Sequence, residues 1–311
     1  MAEIEISKIN SLAETNPEEL VLSAEKRYKN FVAAVADRVA QNGNIRIILL
    51  AGPSGSGKTT TANILADEIR ARGLDSFVIS LDNFYRNADD PEYPRLPNGE
   101  RDFEAAEALN LPEIEEVLCN IADGKEFSVP RYDFKIGGRS GVEDYPKITH
   151  GCVIIEGLHA LNPKIYEHLG EGRAIRIFIS VSTNINDGGE RIMSGRNMRF
   201  VRRMVRDSIY RNADAQRTLD MWGNVLVGED KYLYPFRNNA DFDFDTFHDF
   251  EPGVMKKYAE SLISKSLAEK NSYAKRVLLA LNKAVSIDET LVPDDSLIRE
   301  FIDGGKYEEF Y

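Results

Sequence analysis

One stretch of eight residues constrains this chain more than any other. Residues 52–59 read Gly-Pro-Ser-Gly-Ser-Gly-Lys-Thr, the phosphate-loop pattern G-x-x-x-x-G-K-[ST]. An apolar run, Ile45 to Ala51, broken only by Arg46, precedes it. A helical pattern, Thr60 to Arg72, follows, with Ile64, Leu65 and Ile69 on one side. Strand, glycine loop and helix in this order commit the chain to a parallel α/β sheet with phosphate held at a helix N-terminus. The glycines let backbone N–H groups close around phosphate oxygens. The pattern assigns Gly52, Ser54, Gly55, Ser56, Gly57, Lys58, Thr59 and Thr60 to the nucleotide, with Lys58 at the β/γ-phosphates and Thr59 at Mg²⁺.

A phosphate loop does not say what becomes of the nucleotide. Guanine reading by an Asn-Lys-x-Asp segment is not expected, because Asn282-Lys283 continues into Ala284-Val285. Small-molecule kinases and ATP-driven switches remain. The 311 residues suffice for one large domain or two small ones, and 42% hydrophobic content builds a full core. A net charge of −12 argues against nucleic acid and anionic membrane as partners. Apolar runs such as Ile47–Ala51 and Val153–Ile155 are too short to span a bilayer, and the acidic N-terminus has no signal-peptide pattern. Cys119 and Cys152 read as buried free thiols. The expectation is a cytoplasmic protein, with self-association left open.

The pattern predicts a helix over 18–41, a second strand over 76–81, a helix over 111–121, a hairpin or loop over 124–147, strands over 151–156, 174–181 and 240–245, and helices over 187–228 and 253–284. Asn212-Ala213-Asp214 reads as a break and cap. The fold class is a phosphate-loop NTPase-type parallel sheet with flanking helices, an arginine-rich helical lid and a C-terminal helical segment. The expected division is an N-terminal helical extension (1–44), a core (45–248) carrying a substrate-covering segment (83–147) and the lid (187–228), and the C-terminal segment (249–311).

Ligands of such sheets sit at the carboxyl ends of the strands, where the loop, Asp82 and Glu156 all fall. Asp82 suits a hydroxyl-proton acceptor, a metal ligand, both, or a turn cap. Glu156 suits a metal-associated carboxylate or a helix cap. Between 191 and 217 eight arginines face only Asp207 and Asp214. Arg199, Arg202, Arg203 and Arg206 recur at helical spacing. They read either as a lid closing over ATP or as a solvated face pairing with acids elsewhere.

Five segments together resemble the uridine kinase and phosphoribulokinase family: 52–60, Ser80-Leu-Asp-Asn-Phe-Tyr85, Pro130-Arg-Tyr-Asp-Phe134, Ile154-Ile-Glu-Gly-Leu158 and Arg199-Phe-Val-Arg-Arg-Met-Val-Arg-Asp207. Met221-Trp222, Tyr234-Pro235-Phe236, Ala240-Asp241 and Ser296–Gly305 also resemble bacterial uridine kinase-like proteins whose kinase follows a TGS-type region, a region missing here. The resemblance implies ATP- and Mg²⁺-dependent phosphorylation of a primary hydroxyl on a ribose-like acceptor, most simply a nucleoside. It implies Asp82 as catalytic base beside Lys58, and Thr59, Asp82 and Glu156 at the metal. Tyr85, Asp102, Phe103, Tyr132 and Arg139 fall where the nucleoside is contacted, and Arg199, Arg202 and Arg211 where the lid and substrate arginines lie. One position departs. Uridine–cytidine kinases read the pyrimidine with a histidine three residues beyond the Tyr-Asp-Phe; here that position is Gly137. His159 is the candidate substitute. Another small alcohol or sugar as acceptor, and a non-catalytic ATP switch, are the alternatives.

Overall fold

A computed structural model describes residues 2–96 and 98–308. Its centre is a five-stranded, wholly parallel sheet. The first strand of the chain, β1 (Glu3–Glu5), lies outside it. The sheet comprises β2 (Ile47–Ala51), β3 (Asp75–Ser80), β6 (Gly151–Glu156), β7 (Ala174–Ser180) and β10 (Phe242–Asp245), in the order β10-β7-β2-β6-β3. β2 and β6 are buried along their whole length. Their unbroken apolar runs are what a strand covered on both faces requires. Alternation divides the side chains between two cores. Ile48, Leu50, Ile154 and Ile177 face one side; Ile47, Leu49, Val153, Ile155 and Phe178 face the other.

Helices α1 (Ile6–Thr15), α2 (Pro17–Gln41) and α3 (Lys58–Ala71) contribute to the first core. Pro17 opens α2, and Asn16 caps it by accepting from the Glu19 N–H at 3.2 Å. Leu20, Ala24, Tyr28, Val32, Val35 and Val39 form its buried stripe. α4 (Leu111–Ala122) covers the second face with Ile114, Val117, Leu118 and Ile121. The segment 124–147 is an antiparallel hairpin of β4 (Phe127–Asp133) and β5 (Gly138–Tyr145). A short helix, α5 (Pro163–Tyr166), follows β6.

Three expectations are corrected. The helical reading of 187–228 begins too early: β8 (Asn184–Asp187) and β9 (Glu190–Met193) form a hairpin, and β1 adds to β8 in parallel. Gly188 and Gly189, at φ +61° and +83°, supply the turn that an Asn/Gly-type hairpin needs. Helix begins at α6 (Gly195–Tyr210), breaks at Asn212 (φ 49°), and resumes as α7 (Ala215–Tyr232), capped by Asp214. The helical reading of 253–284 resolves into α8 (Glu251–Leu262), α9 (Lys265–Lys270) and α10 (Ser272–Leu281), because Ser264 and Asn271 each cap a new helix. Cys119 is half-buried; only Cys152 is fully enclosed. No helix among the described residues is long and apolar enough to cross a membrane. Residues 309–311 of the expected C-terminal segment lie outside the described residues.

Candidate active site

β2 delivers the chain into the glycine loop, and α3 begins at Lys58. Gly55 and Gly57 sit at φ +74° and +89°, and a Cβ on them would lie 2.7 Å from the Arg199 carbonyl oxygen and 2.6 Å from Leu297 Cδ1. Both left-handed backbone and close packing therefore demand glycine. The loop carbonyls are tied backwards. Arg199 Nη1 donates to the Ser54 carbonyl at 2.8 Å, and Arg202 Nη1 to the Gly55 carbonyl at 3.2 Å. Thr246 Oγ1 donates to the Ser56 carbonyl at 2.9 Å. In a trans peptide the N–H points opposite to the carbonyl, so the Gly55 and Gly57 amides face away from these anchors, into the cleft. The first N–H groups of α3 add the positive end of a helix.

This geometry changes the reading of several residues. Arg199 and Arg202 are fully buried. Arg199 is gripped by Glu229 of α7 through two 2.8 Å hydrogen bonds, and Arg202 by Glu251 of α8 and the Thr246 carbonyl. They stand behind the loop, not over it. Both were expected over the transferring phosphoryl group; here each pairs with a carboxylate and donates to a loop carbonyl. Ser54, expected at the nucleotide, gives its N–H to Glu229 at 2.9 Å and accepts from Arg203 Nη1 at 2.9 Å. Thr60 is fully buried, and its hydroxyl donates to Glu300 at 2.8 Å. Its side chain thus faces the C-terminal segment.

Lys58 lies within electrostatic reach of both Asp82 and Glu156, Arg211 within reach of Asp82, and Thr59 follows Lys58 in the first turn of α3. Lys58 Nζ is 3.4 Å from the Pro53 carbonyl, a long bond that a better acceptor can replace. Parallel register sets Glu156 level with Ser80 of β3 and Leu50 of β2 at the carboxyl edge of the sheet. The Asp82 N–H donates to Ser80 Oγ at 3.3 Å. Asp82 lies in an open recess that water enters, yet the protein around it strips enough hydration to raise its pKa, against the pull of Lys58 and Arg211. Burial raises Glu156 to about 7, with Lys58 pulling down, Asp82 pushing up and a Ser80 hydrogen bond pulling down. Two carboxylates sharing one cation are short of positive charge. Ser56 Oγ is buried without a partner among the described residues. These features fit a nucleotide–Mg²⁺ group. No cluster of three His, Cys, Asp or Glu side chains among the described residues could hold a metal by itself.

Beyond Asp82 lies an aromatic group. Tyr85 meets Tyr132 and Phe134, each at 5.7 Å between ring centroids. Tyr85 Oη donates to the Phe103 carbonyl at 3.2 Å, and Phe103, 52% exposed, packs edge-on to Tyr93. Asp102 is buried and accepts from Tyr232 Oη of α7, with Lys231 Nζ 3.6 Å away. His159 is buried beside Tyr232, and loss of hydration lowers its pKa to about 4, so it stays neutral. Arg139 stands opposite Tyr132 in the β4–β5 hairpin, and its guanidinium pairs with both carboxylate oxygens of Glu113 on α4. Gly137, at φ +65°, forms the hairpin turn and receives the Ala88 N–H at 2.9 Å. Sequence reading missed Glu104. Its carboxyl stands among Arg203, Glu229, Asp82 and Asp102, and lost hydration raises its pKa. It also missed Glu229, Glu251 and Glu300, the acids that pair with Arg199, Arg202 and Arg206.

The phosphoribulokinase / uridine kinase family matches residues 47–251. A uridine kinase of Saccharomyces cerevisiae is 28% identical over 198 residues, 63% of this chain, and the match spans 36% of that protein's length. A uridine kinase of Lactobacillus johnsonii is 26% identical over 199 residues, 63% of this chain and 83% of that protein. Among solved structures, a possible uridine kinase of Bacillus stearothermophilus superposes with a TM-score of 0.48 at 14% identity, covering 70% of this chain and all of that one.

Proposed function

Since the chain belongs to the phosphoribulokinase / uridine kinase family, we propose that it transfers the γ-phosphoryl group of ATP to a hydroxyl of a nucleoside. The observation that carries this reading is the placement of Lys58 near Asp82, close enough to offset part of the rise that lost hydration gives the Asp82 carboxyl, with the Tyr85–Tyr132–Phe134 group beyond it. Lys58 and the loop amides hold the phosphates. Thr59, Asp82 and Glu156 would hold Mg²⁺, which when bound supplies charge neutralisation at the phosphates. Asp82 orients the acceptor hydroxyl and takes its proton. The hydroxyl oxygen bonds to the γ-phosphorus as the bond to the β–γ bridging oxygen breaks, and ADP leaves with those electrons. Arg211, with about half its side chain exposed and its charge felt by Asp82, is the arginine placed to meet the transferring group. The aromatic group offers faces on which a base stacks. Asp102 and His159 would shape the acceptor pocket. The division into extension (1–44), core (45–248) and C-terminal segment (249–311) accompanies this reading.

Gly137 favours a second reading, the same chemistry on another small alcohol or sugar, because no side chain there reads a base. ADP release measured with a panel of nucleosides and simple sugars tests both. Release stimulated by a nucleoside supports the proposal. Stimulation by sugars alone supports the second reading, and slow release that no acceptor stimulates indicates an ATP switch.

A further inference from the structure

Beyond the family match, which ends at residue 251, the chain returns at residues 297–301 to the back of the phosphate loop. Leu297 fills the space beside Gly57 that a Cβ there would need. Glu300, 2% exposed, accepts from Thr60 Oγ1 at 2.8 Å and from Arg206 Nη1 at 2.8 Å. Phe301 lies under the Arg202 guanidinium, 5.0 Å from its ring centroid. The other end of this segment is anchored to α2, where Ser296 Oγ donates to Glu25 and Lys29 pairs with Asp295 at 2.7 Å.

We infer that Glu300 is a positioning residue for the nucleotide, holding the first turn of α3, and with it Lys58 and Thr59, through its joint grip on Thr60 and Arg206. A buried carboxylate shared by a helix turn and a half-buried arginine fixes both in one geometry. The neighbouring Leu297 leaves Gly57 no room to shift towards the segment. Glu300 also acts on the site electrostatically, adding to the upward push on Glu156. The inference rests on the kinase reading only in assigning the loop to ATP.

The test uses the full chain with Glu300→Gln and Glu300→Asp, reading ATP and ADP binding by calorimetry without acceptor, KM for ATP and for acceptor separately, and melting temperature. Glu300→Gln should weaken ATP binding about 10- to 100-fold, the range for loss of a residue that orients a binding group. Acceptor KM should change little, and Glu300→Asp should recover part of the loss. A purely structural role would lower the melting temperature while leaving ATP affinity of the folded protein at the wild-type value; that result overturns the inference. Should Glu300→Gln not fold, Leu297→Ala frees the space beside Gly57 without stranding a buried charge, and it should weaken ATP in the same way; unchanged ATP affinity there also overturns the inference. Wild-type protein that binds ATP but phosphorylates nothing would sink the kinase reading alone, because the binding arm needs no acceptor. Wild-type protein that binds no ATP sinks both.

Discussion

The Ser54 N–H donates to the Glu229 carboxylate at 2.9 Å, joining the phosphate loop to a helix 175 residues further along the chain. Glu229 also holds Arg199 through both oxygens. The loop, α6 and α7 are thus locked by one buried carboxylate. The consequence for mutagenesis differs from that of a mobile arginine. Arg199→Ala would strand Glu229 in the interior, and breaking a buried pair from one side costs about 3–5 kcal/mol. The expected outcome is a large drop in unfolding free energy, read by denaturant titration, with nucleotide affinity falling as the loop loosens. Arg202→Ala should behave alike through Glu251. A wild-type denaturation midpoint with kcat alone reduced would restore the lid role to these two arginines.

Asp82 makes the opposite prediction. It lies in an open recess, so replacement by Asn strands nothing and keeps the shape. Stability should stay near wild type, ATP affinity should hold, and kcat should fall by ~10²–10⁴-fold, the typical worth of a general base. Steady-state kinetics beside ATP calorimetry checks this. A kcat within a few-fold of wild type would leave Asp82 as a turn residue.

Two buried acids set the pH behaviour. Glu156 and Glu25 are both raised by burial to about 7 from the ordinary carboxyl value of 4.5. In the folded chain each keeps a proton that the unfolded chain sheds at lower pH. Their contribution to stability is therefore fully present below pH 4.5 and is lost as pH rises through about 7. Glu25 lies on α2, away from the cleft, which separates the two effects. Glu25→Gln should flatten the fall in melting temperature between pH 5 and 8 without moving the pH–rate profile. Glu156→Gln should remove a rising limb of kcat/KM near pH 7, since a protonated Glu156 serves a cation poorly. A wild-type profile flat from pH 6 to 8 would show that nucleotide binding already drives the proton off.

The middle of the sheet was legible because β2 and β6 are short, largely apolar runs that end in a glycine loop or turn; β6 was read to the residue. The Asn212–Asp214 break was legible because capping is a local property of side chain and backbone. The hairpin at 184–193 was not, although Gly188-Gly189 signalled it: the arginines that follow drew the helical reading too far upstream. The arginines themselves show the harder limit. Helical spacing states which of them share a face, but not whether that face meets phosphate, water or carboxylate. Glu229, Glu251 and Glu300, the carboxylates that pair with Arg199, Arg202 and Arg206, come from three later elements. Sequence cannot pair partners 30, 49 and 94 residues apart without the fold. The pairing of Arg139 with Glu113, on a helix 26 residues earlier, was hidden for the same reason.

The acceptor pocket yields the last prediction. Gly137 stands where a base-reading side chain is expected, and its φ of +65° tells against restoring one: left-handed backbone costs a non-glycine residue roughly 1–2 kcal/mol. A Cβ would also touch Ala88 at 3.4 Å. With no polar side chain at that position, uridine and cytidine differ little in what they meet there. A pocket built to bond one edge can reject the other by about 10⁴-fold, whereas one lacking the bond cannot. What remains is stacking on Tyr85, Tyr132 and Phe134, which every base satisfies. Base–aromatic stacking is worth about 1–3 kcal/mol, so Tyr132→Ala should raise KM for nucleosides roughly 5- to 100-fold while leaving any activity on simple sugars unchanged. The measurement is kcat/KM for uridine, cytidine, purine nucleosides and free sugars, wild type against Tyr132→Ala. A uridine-to-cytidine ratio above about 10³ would mean that a side chain other than the missing one reads the base, with neutral His159 the first to substitute. An equal loss on sugars and nucleosides would mean that Tyr132 shapes the hairpin and meets no base.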